Sequence, residues 1–268
     1  MTANIDPSEL TAQLIVFTDL DGTLLDHDSY DHSPAAPTLA RLRRHGIPLI
    51  LASSKTATEM IPLRRDLGFE SCPLICENGG GVVASGDAGN GSADAYIKLR
   101  RALDDIDPAL RQGFEGFGDM TPARISEATG LPPEQAEMAA LRAFSEPGIW
   151  TGTEAERDAF LAHLSYHGVT ARYGGRFLTL SFGATKADQM AQIARQLGRS
   201  VIVALGDAPN DADMLNAADY AIVLPNAQGH PVEVAEDAGT RVLRAAEPGP
   251  VGWNATLGAL LSDLGVTD

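Results

Sequence analysis

The sequence predicts an α/β fold, in which a smaller α+β domain is inserted into a doubly wound, mostly parallel β-sheet. Three observations lead to this prediction. Short apolar runs of strand length alternate with segments of helical pattern, hydrophobicity within the runs is continuous rather than alternating, and the alternation of runs and helices is interrupted between about residues 85 and 183. Continuous apolar runs are typical of strands that helices cover on both faces. Alternating strands and helices favour a parallel sheet.

The predicted strands are the apolar runs that end in small or polar residues, at 14–17, 48–52, 73–76, 201–205, 220–224 and 241–243. The helical patterns between them cover residues 37–45, 56–67, 185–197 and 211–217. In such sheets ligands bind beyond the carboxyl ends of the strands. Polar segments stand at these positions after the first four runs, with the sequences DLDGT, SSK, ENGG and GDAPND.

The inserted segment differs from the rest of the chain in composition and in its pattern of predicted elements. Residues 85–92 are rich in glycine, serine, aspartate and asparagine, which is typical of a linker. Charged helical segments, a turn at Pro132-Pro133 and strand patterns near 149–151 and 177–182 follow. A segment of this size is a domain rather than a loop. We therefore predict a core formed by 1–84 and 184–268 and a cap formed by 85–183.

Composition excludes several functional classes. The 268 residues are 44% hydrophobic, which is enough for a full core. A net charge of −16 argues against nucleic acid or an anionic membrane as a partner. With no run of 18 apolar residues and no basic, then apolar, N-terminus, we expect neither a membrane span nor a secretory signal, and hence a cytoplasmic protein. Cys72 and Cys76, without a nearby histidine, are expected to be buried thiols.

Two carboxylates follow the first predicted strand. Asp19 and Asp21 share a direction while the backbone is extended, and Gly22 allows the chain to turn away. Carboxylates so close repel unless a cation lies between them, and Mg²⁺ is commonly held by one or two carboxylates and a substrate phosphate. Asp19 could attack phosphorus, and Asp21 could protonate the leaving alkoxide and later activate water. The alternative is a turn of Asx residues without chemistry.

A second acidic group follows the fourth predicted strand. Asp207 stands at the strand end and is expected to be a further metal ligand, whereas Asp211 could bind the metal through a water molecule or orient another ligand. Asn210 is a predicted N-cap of the next helix. In isolation this loop would more often be helix capping. Together with DLDGT it favours a metal site.

Lys186 is the expected counter-charge, since only Lys55, Lys98 and Lys186 are lysines. Thr185 and Asp188 form an approximate capping box, so the lysine lies in the first turn of a helix. The helix dipole and the ammonium group both favour an anion there. We expect Lys186 to neutralise Asp19 and the phosphate.

Ser53 follows the second predicted strand. Its hydroxyl and the nearby backbone N–H groups could hold phosphoryl oxygens through the transition state. Thr56 and Glu59 also form a capping box, so this segment is expected to combine a functional Ser53 with a structural Thr56. Lys55 could contact either the substrate or solvent.

These four segments, in this order, resemble the haloacid dehalogenase (HAD) superfamily of phosphohydrolases. The resemblance implies a Rossmann-like core with a cap and Mg²⁺ as cofactor. It also implies a catalytic set of Asp19 as nucleophile, Asp21 as acid and base, Ser53 as phosphate-binding hydroxyl and Lys186 as stabilising lysine. The implied metal set is Asp19, Asp21, Asp207 and Asp211.

A narrower resemblance extends over the core, the cap and the C-terminus. The strings VFTDLDGTLLD, SSKT, ENGG, GDMT, TGL, FSEP, GGRF, GDAPND and PGPVGWN are similar to the mannosyl-3-phosphoglycerate phosphatase family. That family dephosphorylates a glycosyl-3-phosphoglycerate to a glycosylglycerate, a compatible solute. The resemblance implies mannosyl-3-phosphoglycerate as substrate. A glucosyl-3-phosphoglycerate phosphatase, a broad sugar-phosphate phosphatase, a phosphosugar mutase and an inactive binding module remain alternatives.

Such a substrate carries a carboxylate beside its phosphate, and Arg142 and Arg176 are the basic cap residues expected to bind it. The full predicted substrate-binding set is Ser54, Lys55, Met120, Thr121, Arg142, Ser145, Glu146, Arg176 and Asn210. We expect a small phosphorylated sugar or glycerate as the partner, no nucleic acid or membrane, and a monomer or homodimer. Closure of the cap over the core would exclude bulk water from the site.

Overall fold

The structure is a computed structural model and describes residues 7–87, 93–174, 176–226, 229, 231–235 and 239–267. Residues 88–92 of the predicted linker and Gly175 of the GGRF string lie outside the described residues. The strands are β1 (Leu14–Thr18), β2 (Leu49–Leu51), β3 (Leu74–Cys76), β4 (Gly81–Val83), β5 (Phe114–Gly116), β6 (Glu146–Trp150), β7 (Thr170–Gly174), β8 (Phe177–Ser181), β9 (Val201–Gly206), β10 (Tyr220–Val223) and β11 (Arg241–Arg244). The helices are α1 (Pro7–Gln13), α2 (Ala36–Arg44), α3 (Ala57–Asp66), α4 (Asp94–Asp104), α5 (Pro108–Arg111), α6 (Pro122–Thr129), α7 (Pro133–Ala140), α8 (Glu154–Tyr166), α9 (Lys186–Gln196), α10 (Ala212–Asn216) and α11 (Gly249–Asp263).

The central sheet has the order β11-β10-β9-β1-β2, and every pairing in it is parallel. Strand β1 lies between β9 and β2, with Phe17 opposite Ala204 on one side and Ile50 on the other. A parallel bridge from Ala52 to Ile75 places β3 next to β2, and β3 forms an antiparallel hairpin with β4. The predicted α/β fold with a mostly parallel sheet is confirmed.

The predicted ends of the core elements lie within one residue of those in the structure. The helices begin one residue later than predicted at Thr56 and Thr185 because these two residues are N-caps, whose side chains accept the N–H groups of Glu59 and Asp188. Prediction was poorer in the inserted segment. There a four-stranded antiparallel sheet of order β5-β6-β8-β7 is present, and β6 begins three residues before the strand expected near 149–151.

The apolar side chains of the described residues pack into three clusters. The largest draws on residues 14–83 and 190–266, the second on 99–180 and the third on 117–139. We call the elements from α1 to β4 and from α9 to α11 the core, and those from α4 to β8 the cap. The predicted boundaries at residues 84/85 and 183/184 stay a prediction. Both cysteines are buried and free, and no helix among the described residues combines the length and apolarity needed to span a membrane.

The C-terminal helix supports the end of β1. Trp253 in α11 is fully buried, and its indole N–H donates to the Thr18 hydroxyl at 3.0 Å. The Thr18 hydroxyl in turn donates to the carbonyl of Asp19 at 2.8 Å. A buried hydroxyl needs such partners, because leaving it unpaired costs free energy. Helix α11 thereby fixes the backbone from which the Asp19 side chain projects.

Glycine is required where the ENGG segment meets α9. Gly79 has φ +97°, and a Cβ at this position would overlap the carbonyl group of Thr185. The left-handed conformation alone costs an L-residue about 1–2 kcal/mol. Gly46 also has a positive φ, +61°, but nothing lies within 4 Å of its Cβ position.

We expect Gly79→Ala to lower the free energy of unfolding by about 3 kcal/mol or more, since backbone strain and overpacking add. Gly46→Ala, the matched control, should cost about 1 kcal/mol because it carries the strain alone. Urea denaturation of both variants measures the difference. Equal losses would show that the segment moves away from α9 without cost.

Candidate active site

Polar side chains from separate parts of the chain meet at the carboxyl edge of the central sheet. Asp19 follows β1, Ser53 follows β2 after Ala52, Glu77 follows β3, Asp207 follows β9 and Asn226 stands beyond β10. Because the strands are parallel, their carboxyl ends share one edge of the sheet. Asp19 and Asp207 are far apart in the sequence, but the register of β1 with β9 places Thr18 opposite Leu205. Thr18 directly precedes Asp19, and Leu205 stands two residues before Asp207.

Lys186 lies between two of the carboxylates. Its Nζ is 2.6 Å from Oδ1 of Asp19 and 2.7 Å from Oδ1 of Asp211, and its side chain is 1% exposed. Burial disfavours the ammonium form, but the attraction of both carboxylates outweighs it, so the pKa of Lys186 is raised above its usual value. Lys186 is therefore a buried cation, and it stands at the first residue of α9, directly after the Thr185 cap.

The carboxyl groups remain under strong mutual repulsion. Burial and the neighbouring Asp211 raise the pKa of Asp19 well above its usual value, although Lys186 opposes the shift. The same two causes, burial and Asp211, raise the pKa of Asp207 to about 6. One ammonium group thus does not balance the negative charge gathered here.

Neutral donors hold Asp207 in place. The Thr23 hydroxyl donates to Oδ1 at 2.9 Å and the Asn226 amide donates to Oδ2 at 2.8 Å. Gly22, with φ +76°, lies so close that a Cβ there would be 2.7 Å from Oδ2 of Asp207. The absence of a side chain at Gly22, in the turn after β1, therefore leaves room for the carboxylate of Asp207, which follows β9.

The three carboxylates of Asp19, Asp207 and Asp211 offer ligand atoms that all lie within 4.8 Å of one another, and all three residues are buried. Oxygen donors in such an arrangement suit a hard divalent cation. These three carboxylates gather around the ammonium group of Lys186, which balances only part of their negative charge, so the residues fit a bound cation. The carboxylate of Asp21, which was predicted to belong to the metal set, is not among these three.

Asp21 pairs instead with Lys55. The Lys55 Nζ is 3.1 Å from Oδ2 of Asp21 and 5.0 Å from the centre of the Tyr30 ring. Burial lowers the pKa of Lys55, but Asp21 and Glu59 raise it, and the net shift is upward. The other Asp21 oxygen, Oδ1, is buried without a hydrogen-bond partner. We call Asp19, Asp207 and Asp211 the acidic cluster. The unpaired oxygen of Asp21 is free to accept a hydrogen bond from a ligand or to bind a proton.

Ser53 is 1% exposed and lies at the neighbouring strand end. Its Oγ accepts the backbone N–H of Lys55 at 3.3 Å, so the hydroxyl hydrogen is left to donate elsewhere. The predicted capping box of Thr56 with Glu59 is confirmed, as is that of Thr185 with Asp188. The Ser53 segment thus combines a capped helix start with a directed hydroxyl.

Arg142 and Ser145 belong to the cap but contact the core. Arg142 is 8% exposed, and its guanidinium donates to the Ser54 carbonyl at 3.2 Å and to the Ser145 hydroxyl at 2.7 Å. Its Nε is 3.3 Å from a carboxylate oxygen of Glu77. Arg142, which was predicted to bind a substrate carboxylate, is thus held by groups of the protein itself.

The other predicted cap residues make their contacts within the cap. Glu146 is fully buried and accepts from Arg100 at 2.8 Å, which makes it part of the cap interior. Thr121 is the N-cap of α6, and Met120 packs in the third apolar cluster. Arg176 is exposed, and its guanidinium donates a hydrogen bond to the carbonyl of Thr129 at 3.0 Å. None of these four lines the cavities described next.

The prediction that Asn210 caps a helix is wrong. A 3₁₀ turn over Pro209–Asp211 precedes α10, and Asp211 is the residue at the start of that helix. The Asp211 carboxylate accepts the N–H groups of Asp207 and Ala208, each at 3.2 Å, which closes the 3₁₀ turn, and it makes no capping hydrogen bond to α10. Asn210 donates from its side chain to the Asn78 side chain at 3.2 Å.

Two cavities between core and cap meet at this pair of asparagines. One, of about 280 Å³, is lined by core residues that include Asp21, Ser54 and Lys55 and by cap residues that include Arg142. The other, of about 310 Å³, is lined among others by Lys186, Thr185, Arg172 and Tyr173. Asn78, Thr179 and Asn210 line both. Lys186 and Asp21 therefore face a divided space that the cap covers, whereas Asp19, Asp207 and Asp211 are not among the residues that line these two cavities.

The profile of the haloacid dehalogenase-like hydrolase family matches residues 16–102 and 145–238, which is more than half of the chain. The chain belongs to the haloacid dehalogenase-like hydrolases. The first matched segment carries Asp19, Asp21 and Ser53, and the second carries Lys186 and Asp207. The resemblance to the HAD superfamily is thereby confirmed.

Solved structures of low sequence identity share the fold of this HAD-like hydrolase. The phosphatase BT1666 from Bacteroides thetaiotaomicron is 19% identical over 99% of this chain and 100% of that chain, with a TM-score of 0.62. BT4131, described as a HAD subclass IIB sugar phosphatase, is 16% identical over 95% and 100%, with a TM-score of 0.61. Protein 0175 from Thermoplasma acidophilum is 15% identical over 95% and 99%, with a TM-score of 0.63.

Three residues of this HAD-like hydrolase escaped the sequence analysis as site residues. Thr23 and Asn226 orient Asp207, and Glu77 joins core and cap. Asn226 could have been found, because it stands two residues beyond the predicted strand at 220–224, where ligand-contacting residues are expected. Nothing in the local sequence indicates the contacts of Thr23 or Glu77, since their partners are far away in the chain.

Replacing Lys186 by methionine should lower the free energy of unfolding by about 3–5 kcal/mol, because Asp19 and Asp211 would then be buried without an ammonium group between them. Urea denaturation at pH 8 with EDTA measures this. Lys98→Met is the control, since Lys98 is exposed and should cost less than about 0.5 kcal/mol. Equal midpoints for the two variants would contradict the electrostatic account of the site.

Proposed function

We propose that this HAD-like hydrolase is a Mg²⁺-dependent phosphatase that hydrolyses a phosphate monoester through an aspartyl-phosphate on Asp19. The observation that carries the proposal is the Lys186 Nζ at 2.6 Å from the Asp19 carboxylate. A buried carboxylate is a poor nucleophile when protonated, and a fixed cation favours its ionised form. The same ammonium group would attract the phosphoryl oxygens of a bound ester.

The reaction has two steps. An oxygen of Asp19 forms a bond to phosphorus while the bond from phosphorus to the ester oxygen breaks, and Asp21 gives its proton to the departing alkoxide. Water then attacks the phosphorus of the aspartyl-phosphate, Asp21 takes the proton of that water, and inorganic phosphate leaves with Asp19 regenerated. The Ser53 hydroxyl holds a phosphoryl oxygen in both steps. The Nζ of Lys55, 3.1 Å from Oδ2 of Asp21, places a positive charge beside this acid.

Asp19, Asp207 and Asp211 are the residues that would hold Mg²⁺, with Asp21 next to them. When bound, the ion would supply positive charge against the carboxylates and the phosphoryl group. Thr23 and Asn226 keep Asp207 oriented toward this position by binding both of its oxygens.

For the substrate we propose mannosyl-3-phosphoglycerate. This molecule branches at one carbon into a carboxylate and a sugar, and the two cavities that meet at Asn78 and Asn210 offer room for two arms. Cationic side chains line both cavities, Lys55 and Arg142 in the smaller one and Lys186 and Arg172 in the larger one, which also contains hydroxyl groups and the Tyr173 ring. The narrower sequence resemblance supports the same substrate. In this proposal the enzyme is cytoplasmic and its product is a compatible solute.

A sugar phosphate without the glycerate arm is the second candidate. The structurally similar protein BT4131 is described as a sugar phosphatase, which supports sugar phosphates as a class. A glucosyl-3-phosphoglycerate differs from the mannosyl ester at one hydroxyl, and such differences are read by cap residues.

A panel of mannosyl-3-phosphoglycerate, glucosyl-3-phosphoglycerate and hexose phosphates, assayed for phosphate release with Mg²⁺, tests the proposal. We expect the highest kcat/KM on the mannosyl ester. Asp19→Asn should lower kcat by more than about 10³-fold, because the nucleophile is lost. Asp66→Asn, an exposed matched control on α3, should leave kcat unchanged. Retained turnover in Asp19→Asn would refute the nucleophile assignment, and release only from hexose phosphates would favour the second candidate.

Mg²⁺ should stabilise the wild-type protein by about 2–3 kcal/mol when present at 100 times its dissociation constant, since it binds only the folded site. The melting temperature measured with Mg²⁺ and with EDTA gives this difference without any assay of activity. The response should vanish in Asp207→Asn and persist in Asp66→Asn. A full response in Asp207→Asn would remove that carboxylate from the metal site.

A further inference from the structure

The backbone carbonyl groups of Ser53, Ser54 and Lys55 are each held by a different donor. The Asn78 N–H donates to Ser53 at 2.9 Å, and the Glu77 N–H donates to Lys55 at 2.9 Å. Both of these donors belong to the core. The Ser54 carbonyl is held by the guanidinium of Arg142, at 3.3 Å from Nη1 and 3.2 Å from Nη2. One of three successive peptide groups is thus held from the cap.

Fixing the Ser54 carbonyl has a consequence at Ser53. The carbonyl of Ser54 and the N–H of Lys55 belong to one planar peptide group, so they point in opposite directions and turn together. The Lys55 N–H donates to Oγ of Ser53 at 3.3 Å. This bond occupies an acceptor position of the hydroxyl and directs its hydrogen away from Lys55. Arg142 therefore acts on the Ser53 hydroxyl through one peptide group.

Glu77 fixes Arg142 in turn. The Glu77 side chain is 1% exposed, and its Oε2 lies 3.3 Å from Nε of Arg142. The same carboxylate accepts the backbone N–H groups of the three cap residues that follow Arg142, at 2.7 to 3.1 Å, and the Ser145 hydroxyl at 2.8 Å. These are charge-assisted hydrogen bonds to a buried carboxylate, which set its position closely. The chain that enters β6 is thereby tied to the core.

The backbone conformation of Glu77 and Asn78 allows this segment to bind both the Ser53 segment and the cap. Glu77 and Asn78 have φ of +51° and +57°, a left-handed conformation that non-glycine residues rarely adopt. In it the two N–H groups bond to the Ser53 segment while the Glu77 carboxylate bonds to the cap. Strained residues of this kind persist only where the surrounding contacts determine them.

We propose that Arg142 is a positioning residue for the reaction, which orients the Ser53 hydroxyl through the Ser54–Lys55 peptide group, and that Glu77 holds Arg142 for this task. Because Arg142 belongs to the cap, the contact exists only while the cap lies on the core, so the phosphate-binding segment is completed by cap closure. Arg142 lies in the stretch between the two segments that match the family profile, whereas Ser54 and Glu77 lie inside the first. The role of Ser53 in this inference rests on the proposed function.

Kinetics with phenyl phosphate test the inference, because this ester has no second anionic arm for Arg142 to bind. We expect Arg142→Met to lower kcat on phenyl phosphate about 10- to 100-fold with little change in KM. Added guanidinium should restore part of the activity of Arg142→Ala. Normal kcat on phenyl phosphate, with a loss confined to carboxylate-bearing esters, would overturn the inference in favour of direct substrate binding.

Arg64→Met is the matched control. Arg64 is also a buried arginine whose guanidinium donates to backbone carbonyls, those of Cys72 and Ala84, but it lies in the core away from the cavities. Its loss should lower stability and leave kcat unchanged. If it lowers kcat as much as Arg142→Met does, the effect of Arg142 is general destabilisation and the inference fails.

Hydrogen–deuterium exchange reads the peptide group directly and needs no turnover. The Lys55 amide should exchange at least about tenfold faster in Arg142→Met than in the wild type or in Arg64→Met. Unchanged exchange would overturn the inference. If Arg142→Met does not fold, Glu77→Gln keeps the arginine and must show the same direction of change. A wild-type protein that hydrolyses no phosphate ester would refute the proposed function, while the exchange result would still decide whether Arg142 fixes this segment.

Discussion

Mutual repulsion between the carboxylates of Asp19, Asp207 and Asp211 is the constraint on which the rest of the site depends. Two unit charges 4 Å apart repel by about 4 kcal/mol at an effective dielectric constant near 20. The fold counters this with the buried Lys186, with the Thr23 and Asn226 side chains and with backbone N–H groups. Even so, the pKa of Asp207 is raised to about 6, mainly by burial and by Asp211. The charge imbalance is itself the feature that suits a divalent cation.

The charged groups of the site come from different parts of the chain, and the parallel order of the sheet brings them together. Asp19 follows β1, Asp207 follows β9, and the start of α9 supplies Lys186. Close contacts fix these segments against one another, at Gly22 with Asp207 and at Gly79 with Thr185. Because Asp19 and Asp207 directly follow strand ends, their short side chains can reach the centre of the site.

The positions of the candidate site residues at strand ends could be predicted because they obey a local rule: an apolar strand ends and a polar residue follows. Asp19, Ser53 and Asp207 could be found in this way. The prediction for Asn210 was wrong because a 3₁₀ turn that begins at Pro209 precedes α10 and moves the start of that helix to Asp211. The partners of Arg142 could not be predicted, since Glu77 and Ser54 are 65 and 88 residues away and the placement of the cap decides the contact. An arginine in a charged helical segment looks the same whether it binds a ligand or a carboxylate of its own chain.

The insertion of the cap into the core has a consequence for the order in which the protein is made. Strand β1 needs β9 as its neighbour, and between their pairing residues, Leu14 and Val201, lies the entire cap. On the ribosome the cap sheet, complete at Ser181, emerges before the core sheet can close. The apolar β1 and Asp19 therefore stay unpaired in the nascent chain, exposed to chaperones and to aggregation, and Trp253 can reach Thr18 only after α11 has been made.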